Sequence, residues 1–315
     1  MKFFSPSPKC QDCIGLAEEL QIVRLVLERG YVAIAVTGVD QKSGCWGDHP
    51  DVDRVQHVLT EFTTTACPDA FHKDTSPVVY AIGASSGGAM AARLLANGVV
   101  EGASVMVMSL SQKLQEKVAH VLSDASTKKS LYLAPMIRDK GTAKKVRQNH
   151  EYFLFQQKRL HAKKSLNVVL DETSCEPLPV TTDYLWKRVS GMTKEAASII
   201  VDTLLNDAKH LDPTTRMLTV DPTRSNWRDF VLRKNVDEHG KQYIPKSLSQ
   251  VKELKSKSVG LKQGNADMLL WDAFDLTPGR STIAKALHRA WAFHEYCSES
   301  VPMALDLFEQ GTAGV

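Results

Sequence analysis

Six small residues, Gly83-Ala84-Ser85-Ser86-Gly87-Gly88, separate the apolar run Pro77-Val78-Val79-Tyr80-Ala81-Ile82 from a helical pattern over Ala89 to Ala96 that Gly98 closes. A continuous apolar run of that length suits a strand buried on both faces of a parallel sheet. Turning from such a strand into a helix within one residue forces the central residue into strained backbone geometry with little room beside it. Glycines two before and two after Ser85 remove side chains that would collide there. The pattern fits Gly-x-Ser-x-Gly, the turn that holds a serine hydroxyl clear of a sheet at the amino end of a helix. At that end the Ser86 backbone N–H and the helix dipole favour a negatively charged oxygen, which makes Ser86 the expected oxyanion donor.

Two other readings of the same turn stay open at this point. Gly83-Ala84-Ser85-Ser86-Gly87 resembles the dinucleotide turn of short-chain dehydrogenases. That turn calls for a third glycine where Ala89 stands and for the first strand of its domain, whereas a helix, a strand and another helix already precede it here. No acidic residue ends the next strand, Val105 to Met108, to hold a ribose. The remaining reading is a tight structural turn with no chemistry. A phosphate-binding Walker loop fails for want of Gly-Lys-Ser/Thr.

The flanking sequence sets the fold class. Leu16, Leu20, Val23 and Leu27 recur at helical spacing from Gly15 to Arg29, and Gly30 follows as a cap. Tyr31-Val32-Ala33-Ile34-Ala35-Val36 reads as a buried strand, and Asp51 to Phe62 as an amphipathic helix. Beyond the serine turn, Val105 to Met108, Leu131 to Ala134 and Leu166 to Leu170 read as strands, with helices over Gln112 to Ser123 and Ala143 to His161 between them. Strands alternating with helices predict an α/β fold with a doubly wound, mostly parallel sheet, whose working groups gather at the carboxyl ends of the strands. After Asp171 the rhythm turns helical, as in Lys194 to Leu205. A Lys-rich stretch from Lys246 to Lys262 reads as a solvated helix or loop. Helices around Ile283 to Phe293 and Pro302 to Gln310 close the chain.

Composition excludes some partners. Of 315 residues 43% are hydrophobic and 24% charged, and the net charge of +3 is too mild for nucleic acid as a main partner. No apolar run approaches the roughly 18 residues of a membrane span, and the first residues lack a signal-peptide core. Localisation and oligomeric state are not legible. Cys10 and Cys13 form a single Cys-x-x-Cys, with Cys45, Cys67, Cys175 and Cys297 scattered. Without a second pair or spaced histidines a zinc site is disfavoured, so no metal and no cofactor is expected. Structural or disulfide roles are expected instead, with Cys10 or Cys13 to Cys45 the first pairing to test.

With its strand before and helix after, the Gly-x-Ser-x-Gly turn resembles that of the α/β-hydrolase superfamily, over roughly residues 15–171 and again over the last 30. More narrowly, the Cys-x-x-Cys before the first helix, the pair Cys45-Trp46 and the Gly-Ala-Ser-Ser-Gly-Gly turn are similar to the marks of an uncharacterised plant and algal branch of that superfamily. The superfamily resemblance implies a serine nucleophile, then an acid after the second strand beyond it, then a histidine before the closing helix. Ser85 is then the nucleophile, Asp139 the acid with Asp171 as rival, and His294 the base, with His288 and His150 behind it. The implied organisation is a core over 1–172, a helical insertion or lid over 173–280, and C-terminal helices over 281–315 that complete the core.

The chain departs from that pattern in one respect. A further strand should precede the first helix and lie between Tyr31–Val36 and Pro77–Ile82, and its trailing loop should donate the second oxyanion N–H. Only Met1 to Pro8 stands there, and Phe3-Phe4 is too short for a central strand. Either the chain is part of a longer one or the two flanking strands pair directly. The expected function is a serine hydrolase transferring the acyl group of an ester, thioester or amide substrate. The alternatives are a catalytically impaired, hydrolase-like binding or scaffold protein and, more remotely, a nucleotide-dependent oxidoreductase.

Overall fold

The computed structural model describes residues 3–4, 13, 15–40, 44–47, 49–66, 77–124, 128–159, 167–190, 192–234 and 281–312. Cys10 and the Lys-rich stretch Lys246 to Lys262 lie outside the described residues. The chain divides into two compact units, one formed by Met1–Gln21 with Pro177–Trp291, the other by Ile22–Glu176 with Ala292–Val315.

The larger unit is built on four parallel strands in the order β1-β2-β3-β4: Tyr80–Ala84, Gly102–Met106, Ser130–Ala134 and Asn167–Leu170. The helices of this unit are the later part of α1 (Ala17–Glu28), α2 (His49–Glu61), α3 (Ser86–Ala96), α4 (Gln112–Ser123), α5 (Lys140–Arg159) and α10 (Val301–Thr312). Side chains alternate across the strands as a pleat requires. Ala103, Val105, Leu131 and Leu133 join a core with residues of α2 to α5, such as Val55, Leu95, Val118 and Phe153. Met106, Tyr132 and Ala134 join a second core with Ile22, Leu305 and Phe308. Helices therefore cover both faces, which is why the strands read as unbroken apolar runs. Gly102 is required on the second face, because a Cβ there would lie 2.5 Å from the Phe308 ring.

Tyr31–Val36, expected as a buried strand, is not one. Residues 31–38 join no ladder, and Val32 and Ile34 are 56% and 37% exposed. Direct pairing with the strand at Pro77–Ile82 is therefore not formed, and among the described residues β1 has a ladder only with β2. An apolar, β-branched run is suited to a sheet but becomes a strand only where another backbone completes its hydrogen bonds. Of Met1 to Pro8, only residues 3 and 4 are described, and they form a bend.

The other unit is helical: α6 (Thr182–Arg188), α7 (Lys194–Asp202) running into a π-turn at Thr203–Asp207, α8 (Trp227–Lys234) and α9 (Thr282–Trp291). Thr181 and Thr193 cap α6 and α7 with their hydroxyls, accepting from Tyr184 N and Ala196 N. The core holds Ala17, Leu185, Ile200, Leu204, Trp227, Ile283 and Leu287. Helix α9, expected to join α10 in completing the sheet domain, packs in this core instead, and its apolar face (Ile283, Ala286, Leu287, Ala290) accounts for that. Glu18, wholly buried, is ion-paired with Arg188 and lies 4.0 Å from the buried Arg289.

Candidate active site

Ser85 occupies the single residue between β1 and α3. Its backbone sits at φ 54°, ψ −127°, a region that costs non-glycine residues on the order of 1–3 kcal/mol. The neighbours hold it there: Ser85 N–H donates to the Met106 carbonyl at 3.0 Å, and the Ser85 carbonyl accepts the first helical bond, from Ala89 N–H at 3.1 Å. A Cβ on Gly83 would overlap the Gly87 carbonyl, so no side chain is possible at that position. At Gly87 the expectation is corrected, since a Cβ there would meet nothing nearer than the Trp46 indole Nε1 at 3.6 Å, an ordinary contact. The second tight position is Gly88, where a Cβ would lie 3.1 Å from the Gly83 carbonyl and 3.2 Å from Val105 Cγ1. The backbones of β1 and α3 meet at the pair Gly83 and Gly88, rather than symmetrically about the serine.

Asp139 follows β3, the second strand beyond the serine, and caps α5. Ala143 N–H donates to its carbonyl at 2.8 Å, and Thr142 N–H to its Oδ1 at 3.3 Å. Its other carboxylate oxygen, Oδ2, lies 2.8 Å from His294 Nδ1. His294 Nε2 in turn lies 2.9 Å from Ser85 Oγ. With the neutral ring protonated on Nδ1, the imidazole donates to Asp139 and accepts from the serine hydroxyl. The Asp139 side chain is 12% exposed and that of His294 42%, so the carboxylate is sheltered while the imidazole meets solvent. Burial opposes ionisation of Asp139, but hydrogen bonds from His294 and Thr142 outweigh it and hold the carboxyl below its ordinary range.

His294 stands between α9 and the short 3-10 turn Ser298–Ser300, on a loop held at several points. Arg138 N–H donates to the Ala292 carbonyl at 3.2 Å, and Cys297 is disulfide-bonded to Cys175 in the loop after β4. Ala292 and His294 both have positive φ, 57° and 45°, as does Val107 (45°) just beyond β2. With Ser85, four of the six non-glycine residues of positive φ among the described residues stand at the ends of β1 and β2 or on the His294 loop, and the other two, Lys209 and Arg216, belong to the helical unit.

The rival residues are placed elsewhere. Asp171 follows β4, but its carboxylate accepts from the buried Tyr132 hydroxyl and, at 2.9–3.0 Å, from Thr173 N, Thr173 Oγ1 and Ser174 N. Burial again opposes its charge, and those donors prevail to lower its pKa. His150 lies in α5, where partial burial lowers its pKa from the ordinary histidine value, while His288 belongs to α9 in the other unit. Ser85 meets His294 and not these two. The pairing of Cys10 or Cys13 with Cys45 is not formed, since Cys45 is an exposed thiol while Cys13 is disulfide-bonded. No spacing in the sequence marks Cys175–Cys297, whose members stand 122 residues apart.

Ser86 opens α3, where the first N–H groups have no acceptor within the helix. Its hydroxyl accepts from Trp46 N–H at 3.3 Å. Trp46 and Tyr296 approach Gly87 from two loops, with Nε1 and Oη at 3.6 and 3.7 Å from the Cβ position. Neither was singled out as a site residue from sequence, and the only hint was the Cys45-Trp46 pair. Among the described residues no group of three or more His, Cys, Asp or Glu could hold a metal, and no helix is long and apolar enough to cross a membrane. Comparison with protein-family models, with curated proteins and with solved structures finds no match to this chain.

Proposed function

We propose that this protein is a serine hydrolase of α/β-hydrolase type, acting by acyl transfer on an ester, thioester or amide. The observation that carries this reading is the continuous line from Ser85 Oγ through the His294 ring to Asp139, at 2.9 and 2.8 Å, on a strained strand-to-helix turn. In the first half-reaction Ser85 Oγ attacks the carbonyl carbon while its proton passes to His294 Nε2. Asp139 holds the tautomer and stabilises the imidazolium. The tetrahedral oxyanion settles at the amino end of α3 against Ser86 N–H, and collapse returns the proton from Nε2 to the leaving alcohol, thiol or amine. Water then repeats the sequence on the acyl-serine, releasing the carboxylic acid and restoring the hydroxyl.

The test is hydrolysis of a panel of p-nitrophenyl esters of increasing acyl length. Turnover that disappears in both Ser85→Ala and His294→Ala supports the reading. A folded wild-type protein without turnover on any chain length favours a hydrolase-like binding protein instead.

A further inference from the structure

An oxyanion held by one backbone N–H is incompletely stabilised, and Ser85 N–H is already committed to Met106. A second donor has to come from a group near the start of α3. The segment 44–47 reaches it. Asp51 at the start of α2 is buried, and its carboxylate accepts from Val39 N at 2.6 Å and from Gly47 N at 2.5 Å. That double acceptance holds Val39 and Gly47 to the start of α2, and Trp46 N–H bound to Ser86 Oγ fixes the approach of Trp46 to the turn. The indole packs partly buried against the core of α2 to α5. Its Nε1 reaches 3.6 Å from the Cβ position of Gly87, over the first turn of α3. An indole N–H donates only, and among the described residues no acceptor meets this one. The N–H is open to solvent at the edge of the turn, so an acceptor carried by the substrate can take the place of water there.

Resting on the acyl-transfer reading, we propose that the Trp46 indole N–H is the second oxyanion donor, acting beside Ser86 N–H. The oxyanion that forms as the carbonyl π bond opens accepts both N–H groups, and no proton moves at either.

The experiment replaces the Trp46 indole by benzothiophene through an amber-suppressed 3-benzothienylalanine, keeping the ring and deleting only the N–H. Trp46→Phe serves as a second variant, Tyr296→Phe as the comparison, and circular dichroism verifies folding. Turnover of a p-nitrophenyl ester should fall in kcat by about 10²–10³-fold with KM little changed. The preference for the ester over its thionoester should shrink in the same variant, because sulfur is the poorer acceptor. Tyr296→Phe should retain kcat near the wild-type value. Wild-type turnover that survives the benzothiophene exchange undiminished, or a loss seen in Tyr296→Phe instead, overturns the assignment of Trp46 and leaves Ser85 untouched. Absence of Ser85-dependent turnover in the wild type overturns the acyl-transfer reading itself.

Discussion

The loops after β3 and β4 begin alike and end in different roles. Each follows a parallel strand, fully buried in β3 and half-buried in β4, each carries an aspartate within five residues of the strand end, and in each the carboxyl is held below its ordinary pKa. Asp139 spends one oxygen on the start of α5 and keeps the other for His294. Asp171 is taken up by its own loop and by Tyr132, so it closes the loop and presents nothing to the imidazole. The β4 loop reaches the histidine by another route, through the Cys175–Cys297 bond three residues beyond His294. A carboxylate at a strand end is therefore a weak signal by itself, because its donors decide whether it serves the loop or the site.

Four outcomes sharpen or break this contrast. The largest is expected from Asp139→Asn, which keeps a cap for α5 but cannot hold the imidazole in its working tautomer. Ester turnover should fall by about 10⁴-fold with little change in melting temperature. A fall confined to stability would make Asp139 a cap alone. Next, replacing Cys175 and Cys297 together by serine should cost about 2–4 kcal/mol in denaturant unfolding and lower turnover as the histidine loop loosens. Unchanged stability would show that the β4 loop does not restrain its neighbour.

Third, Asp171→Asn should cost about 1–3 kcal/mol, because Tyr132 and three loop donors lose a charged acceptor in a buried place. Turnover should stay near the wild-type value, and a collapse of activity in folded protein would reverse the roles of the two aspartates. The smallest effect is on the pH dependence of stability. Both carboxyls have folded pKa values below their unfolded ones, so through the acid range the unfolded chain binds more protons and stability rises with pH. Their contribution is complete above the unfolded values and is lost as pH falls through the lowered folded ones, beginning below about pH 5. Melting temperature followed from pH 6 to pH 3 should drop less steeply in Asp171→Asn, and an identical slope would contradict the lowered pKa.

The same contrast marks what was legible in the sequence. β3 could be read because burial on both faces writes itself as a local apolar run, and the serine turn because steric crowding writes itself as glycine and alanine. β4 is legible from its Val-Val-Leu run although half-buried, and β2 lies at Gly102–Met106, three residues before the expected start at Val105. Asp139 and His294, 155 residues apart along the chain, were named only through the order Ser, acid, His that the α/β-hydrolase resemblance implies. Tyr31–Val36 was misread because a local run says nothing of whether a partner backbone lies alongside. The start of the helical unit at Pro177 was legible in the change of rhythm after Asp171, but its end at Trp291 and its share of the first residues were not. Helix α9 is amphipathic in either setting, and only its neighbours reveal which core it enters. Cys175–Cys297 and the approach of Trp46 to Gly87 depend on loops meeting in space, which no spacing encodes.

The central claim is that Ser85 is a nucleophile activated by His294. Mass spectrometry of the intact protein after exposure to a fluorophosphonate, followed by peptide mapping, addresses it directly. One adduct on the peptide bearing Ser85, absent in Ser85→Ala and strongly slowed in His294→Ala, is the predicted result. A folded protein that takes up no adduct, or one labelled at the same rate after His294 is removed, would contradict it.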